Sequence, residues 1–429
     1  MSSAVQTPLV AVQTPTVERF ANGLTIVAEQ MPVEAVNFNL WLNLGSGVEL
    51  DEINGMAHFL EHMIFKGTPQ LKEGEFEQQI EQRGAVTNAA TSQDYTHYYF
   101  TSAPRDLASL IPFQLDVVLN ASIPDDAFER ERLVVLEEIR RSQDNPSRRT
   151  YYQAMATCFE QLPYRRPVLG EEAAIAQFIP QQMRDFHQTW YTPDNITASV
   201  VGNLPVEELI QTVADAFHTT YTPKTKSSPQ RLTLTPEPPF TEIVRREYSD
   251  PQLQRARLVM VWRVPGMEAL EETYALDILA RLLGRGRTSR LFRELREDRQ
   301  LVSSIGATNM THRTQGTFYI SALLPPENLA EVEKTIVQHI RRFQEELVAE
   351  RDLQRVRTLV ANRFTFGNER PSDRANLYGY YQSQLGDLQA ALSYPLQIQS
   401  IHAEDIQSAA QRYLNPDAYG VVIMKPVNN

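Results

Sequence analysis

The sequence predicts an α+β protein of two similar, duplicated domains, each a mainly antiparallel sheet packed with helices. Three observations predict it. Residues 36–44, VNFNLWLNL, alternate apolar and polar positions, and residues 257–264, RLVMVWRV, offer a second strand-like run, with Trp262 echoing Trp41 at a spacing of 221 positions. Both halves also end on a similar signature, WYTPDNITASVVG and YLNPDAYGVVIM, with Pro193 and Pro416 separated by 223 positions. Finally, a length of 429 residues favours two or more domains over one.

Taken in chain order, residues 1–16 read as a disordered tail. They lack the basic segment and apolar core of a secretory signal. Residues 17–220 form the first domain. VNFNLWLNL is its half-buried strand, and GMAHFLEHMIFKGT follows with apolar residues at helical spacing and Asn54 as a plausible N-cap. AVTNAATS and YTHYYFTSA then form a hairpin-like pair. In the helical run FERERLVVLEEIRRS, residues 128–142, LVVL is expected to anchor the helix to the core. Residues 221–242, rich in Pro, Ser, Thr and Lys, read as a linker. Residues 243–429 form the second domain, with SSIGATNM and GTFYISALL as its hairpin. FGNERPSDRANLYGYY, residues 366–381, reads as a loop because it mixes Gly, Pro and aromatics.

Bulk properties exclude several function classes. A formal net charge of −12 argues against gripping nucleic acid through a general basic surface. The one cysteine, Cys158, excludes an intrachain disulfide and a thiolate metal cage; it sits in an apolar run and reads as a core residue. No apolar run approaches the roughly 18 residues of a membrane span, so a cytoplasmic protein is expected.

HFLEH, residues 58–62, is the segment with chemical potential. On a helix His58 and His62 lie one above the other and can share a cation, with Glu61 beside them. The same pattern also fits two histidines on a wet helix face. Glu131 and Glu138, seven apart, share one face of the later helix. His97, among Tyr95, Tyr98 and Tyr99, reads as a packed histidine.

His58, Glu61 and His62, followed by ERLVVLEE with Glu138 76 positions beyond His62, resemble the pitrilysin/insulysin family of inverted-zincin metallopeptidases. The likeness is stronger to the short-chain branch that holds mitochondrial processing peptidase and bacterial relatives. GMAHFLEHMIFKGT, RGAVTNAATSQDYTHYYF, PVLGEE and LLGRGRTSRLFRELRED extend it along nearly the whole chain. The resemblance implies that the two domains form half of a clamshell. It implies a zinc-dependent endopeptidase that hydrolyses peptides or unfolded segments enclosed in a dimeric chamber. One Zn2+ per chain would be held by His58, His62 and Glu138, with Glu61 as general base. Glu131 would be a supporting carboxylate that orients a ligand, although structural support alone fits it equally. Asn88 and Ala89 would contact the backbone of a substrate added to an edge strand; read without the family, TNAATS fits a tight turn.

The chain departs from the family in its second half. DILAR, residues 277–281, aligns near HFLEH without a metal pair. The family's arginine is matched by Arg296, but Ser303 stands where a tyrosine is usual. A heterodimer is therefore expected, the partner being a paralogous subunit that carries the arginine/tyrosine pair; a homodimer is the alternative. A non-catalytic structural or peptide-binding subunit of the same fold is the competing class.

Overall fold

The computed structural model describes residues 14–222 and 232–427. Most of the expected tail (1–13) and the middle of the expected linker (223–231) lie outside the described residues. Thr16, assigned to the tail from sequence, opens the first strand.

The first sheet contains β1 (Thr16–Arg19), β2 (Thr25–Gln30), β3 (Val36–Leu42), β4 (Val86–Thr91), β5 (Thr96–Ser102) and β6 (Ile196–Gly202), in the order β1-β2-β6-β3-β5-β4. The second contains β7 (Val244–Asp250), β8 (Ala256–Pro265), β9 (Ser304–Met310), β10 (Gln315–Leu324) and β11 (Gly420–Pro426), in the order β7-β11-β8-β10-β9. Each sheet is antiparallel except for one parallel pair, β2 with β6 and β7 with β11. Without β1 the two orders are the same, so the halves share one α+β topology.

The tryptophan echo does not survive at the level of register. Thr197 of β6 pairs with Trp41, whereas Gly420 of β11, equally far from its own proline, pairs with Val261. Val261 is therefore the counterpart of Trp41. A one-residue step in a strand reverses the face, and Trp262 points into the second core beside Phe318 and Tyr419. Trp41 points out of the first.

That outward face of β3 is nevertheless buried, which corrects the expectation of a half-buried strand: every residue of Val36–Leu42 is buried. Phe38, Leu40 and Leu42 fill the first core. The other face is covered by the helix Pro371–Leu385, which belongs to the second half and packs on β3 and β6. This helix replaces the loop expected for residues 366–381. Pro371 instead sits in the first turn, where its missing N–H costs nothing. Gly379 lets the helix approach Trp41, because a Cβ there would lie 2.1 Å from the indole. Gly386, at φ +70°, ends the helix in the left-handed region. Reciprocally, the first half's helix Pro146–Cys158 packs on β8 and β11, burying Cys158. Each sheet thus borrows a helix from the other half.

The seam includes a buried charge pair. Glu29 of β2 accepts a hydrogen bond from the Tyr378 hydroxyl at 2.8 Å and pairs with Arg374. Burial raises the Glu29 pKa, opposed by Tyr378 and Arg374. No described helix is long and apolar enough to cross a membrane.

Candidate metal centre

HFLEH lies on the helix Met56–Met63, whose buried Met56, Ala57, Phe59, Leu60 and Met63 fix its apolar face. Phe59 stacks on Phe128 of the helix Asp125–Asp144 with ring centroids 4.6 Å apart. That contact brings the two motif segments together. Asn54 is not the N-cap. Gly55 holds that position at φ +100°, and no capping side chain precedes the helix. The buried Glu49 carboxylate substitutes, accepting from the N–H groups of Gly55 (2.8 Å) and Ala57 (2.7 Å) and from Asn54 Nδ2 (3.0 Å). Burial pushes Glu49 up to about 7, against the pull of those donors and of Arg166.

On the second helix LVVL anchors only in part. Val135 is buried and Leu136 packs on the core, but Leu133 and Val134 are 68% and 50% exposed. Glu137 is exposed and pairs with Arg141 at 3.0 Å. Glu131 and Glu138 turn toward the histidines. Glu138 Oε2 lies 3.6 Å from His58 Nε2 and 3.5 Å from His62 Nε2.

One ligand atom each from His58, His62 and Glu138 falls within 4.8 Å of the others, the one such group of three among the described residues. Two imidazoles and one carboxylate form a donor set suited to a divalent ion such as zinc, with room for a fourth ligand. The outer surroundings fit as well. His62 Nδ1 is 3.0 Å from Glu131 Oε1, and Lys66 Nζ is 2.8 Å from Glu131 Oε2. Such a carboxylate partner fixes the tautomer of a ligating histidine and leaves Nε2 free for a metal. Two carboxylates, Glu131 and Glu138, face His62. Burial works against a charged His62, but hydrogen bonds to Glu131 and Glu138 outweigh it and lift its pKa to about 9. His58, held down by burial and by His62, falls to about 4.

Glu61 leaves the ligand face and accepts a hydrogen bond from the Thr91 hydroxyl. Burial raises its pKa, opposed by Thr91. Thr91 is the last residue of β4, an outermost strand of the first sheet. TNAATS is thus strand rather than tight turn. Asn88 is exposed and Ala89 half-buried on it, and the Ala89 N–H is held by Asn88 Oδ1 at 2.9 Å rather than by another strand. Sequence reasoning missed Glu49, Lys66 and Thr91. Lys66 stands four residues after His62, just past the end of the helix, and that short spacing is the available signal.

The second half lacks this chemistry. Asp277, on the helix Tyr274–Gly284, is half-buried and accepts from Asn309 Nδ2 (2.9 Å) and the Tyr394 hydroxyl (3.1 Å). Arg296 lies on the π-helical turn Phe292–Asp298, with its guanidinium 4.6 Å from the centre of the Phe292 ring. Arg296 and Ser303 line one open cleft of about 500 Å³ with Arg255 and Gln300. His97 packs against Trp41, as expected of a structural histidine.

Two family models match along the chain. Residues 25–172 match the family model "Insulinase (Peptidase family M16)" and residues 177–360 the model "Peptidase M16 inactive domain". An uncharacterized zinc protease of Rickettsia bellii is 27% identical over 95% of this chain and 97% of its own length. Zinc protease PqqE of Helicobacter pylori is 27% identical over 94% of this chain and 91% of its length. The crystal structure of a protease from Helicobacter pylori superposes with a TM-score of 0.89 at 25% identity, covering 96% of this chain and 99% of that one. With both models lying in order along one duplicated fold, the chain belongs to peptidase family M16, the pitrilysin or insulinase family of metallopeptidases.

Proposed function

We propose that this chain is a zinc-dependent endopeptidase acting on peptides or unfolded segments. The observation that carries the reading is the convergence of His58, His62 and Glu138 beside a half-buried Glu61. His58, His62 and Glu138 would hold one Zn2+. Zinc, when bound, would supply Lewis acidity toward a water and the scissile carbonyl. Glu61 acts as the general base, taking a proton from the attacking water while Thr91 holds the carboxylate in place. Glu131 orients His62. The free edge of β4 takes the extended substrate as an added strand, with Asn88 and Ala89 against its backbone. The relatives above are named zinc proteases, which supports the reaction class.

Replacing Glu61 by Gln tests the base. Glu61→Gln keeps zinc but loses hydrolysis of a quenched-fluorescent peptide; wild-type cleavage by this variant rejects the assignment. Chelation of the metal should abolish cleavage in wild type, and added zinc should restore it.

Ser303 favours a second element of the reading. A serine hydroxyl is too short to reach an oxyanion from the backbone position of a tyrosine. The tyrosine would come from a paralogous partner that lacks HxxEH, the two chains enclosing the substrate in one chamber. The isolated chain is then nearly inactive, and adding the paralogue raises cleavage. Full activity of the chain by itself, as a homodimer, would remove the need for that partner.

A further inference from the structure

Glu49 has no part in the reaction as proposed, yet it is fully buried and surrounded by donors. The start of a helix leaves N–H groups without intrahelical partners, and its dipole favours negative charge there. Glu49 meets both needs from eight residues upstream of Ala57, whose neighbour is His58. The Glu49 segment is tied down on its other sides too. Ser46 N–H donates to Ser92 O (3.1 Å) and Gly47 N–H to Gln93 O (2.7 Å), which joins it to the residues that follow β4. Arg166 donates to the carbonyls of Ser46 (3.0 Å) and Glu49 (2.8 Å) and pairs with Asp51 at 2.7 Å.

The two histidines differ in how they are held. Glu131 grips His62 Nδ1, but His58 Nδ1 is buried with no hydrogen-bond partner among the described residues. A ligating histidine normally takes its orientation from that second nitrogen. For His58 the orientation must come from the backbone of its own first turn and from packing.

We propose that Glu49 is a positioning residue of the metal centre: its carboxylate fixes the first turn of the HFLEH helix and thereby the aim of His58. The inference rests on the zinc reading above. Its test uses the purified full-length chain, with zinc affinity read by chelator competition and ligand geometry by the visible spectrum of the Co2+-substituted protein. Glu49→Gln, which keeps the volume but turns an amide N–H toward backbone donors, should weaken zinc binding at least about tenfold and alter the Co2+ spectrum. Glu49→Asp, which keeps the charge, should recover part of both. Glu29→Gln removes a different buried carboxylate, at the seam, and should keep wild-type zinc affinity despite its lower stability. Wild-type zinc affinity in Glu49→Gln overturns the proposal, as does an equal loss in Glu29→Gln. Should Glu49→Gln fail to fold, Glu49→Asp decides, and wild-type affinity and spectrum in it overturn the proposal. A wild-type chain that takes up no zinc instead sinks the zinc reading itself.

Discussion

Thr91 donates its hydroxyl to the carboxylate that the proposed reaction uses as its base. A hydrogen bond to a charged group is worth about 1.5–3 kcal/mol, so Thr91→Val should lower kcat/KM by roughly tenfold or more. Zinc content should stay unchanged, and Thr91→Ser should recover most of the activity. Equal activity of the valine variant would remove Thr91 from the site. Glu131 would sit one step from a bound zinc rather than from the base. Glu131→Gln should therefore weaken zinc binding by about 10–100-fold, read by chelator competition; unchanged affinity would leave Glu131 a purely structural role. At this scale His58 and His62 were legible because a shared cation demands one helix face at a four-residue spacing, with Glu61 beside them. Glu138 became legible only through its family register. Glu49 and Thr91 were not, because nothing local says that residue 49 will cap a helix at 57 or that residue 91 will meet residue 61.

Among elements, the least legible are the two exchanged helices. Period-2 alternation in VNFNLWLNL correctly signals a strand, but alternation cannot say whether the polar face meets water or another helix. Here Asn39 donates to Asn376 of the borrowed helix at 2.6 Å, and Asn37 Nδ2 donates to Phe100 O at 3.1 Å, so both buried amides donate within the protein, while Asn37 Oδ1 has no partner among the described residues. Pro and Gly argued for a loop at 366–381, yet one became a first-turn residue and the other a point of close approach. The same seam makes a stability prediction. Arg374→Ala leaves the Glu29 carboxylate buried without its cation, and breaking such a pair costs about 3–5 kcal/mol. The urea midpoint should fall accordingly. The double variant Glu29→Gln/Arg374→Ala should be less destabilised than Arg374→Ala alone; if it is not, the stranded charge is not the cause.

For the whole molecule, duplication was legible because two proline-centred signatures and two strand pairs recur at nearly one interval. The way the halves are fastened was not. Beyond the expected linker's undescribed middle, Glu237 accepts from the N–H groups of Glu160 (3.0 Å), Gln161 (2.8 Å) and Leu162 (2.8 Å), just past the first half's exchanged helix. It also pairs with Arg263 of β8 at 3.0 Å, and Arg263 Nε donates to Cys158 O at 2.6 Å. One carboxylate therefore joins the linker, the exchanged helix and the second sheet. Burial alone would raise its pKa, but the three backbone donors and Arg263 outweigh burial and hold it below the ordinary 4.5. A carboxyl lowered on folding stabilises the fold fully above its unfolded pKa, and that contribution disappears as pH falls through the lower folded value. Glu237→Gln should thus be markedly less stable than wild type at pH 7, with the gap narrowing as the solution is acidified below about 4.5. Urea unfolding of both proteins at neutral pH and at successive steps below that value measures the gap. A difference that stays constant across the series would mean that Glu237 holds the halves by shape and neutral hydrogen bonding, not by its charge.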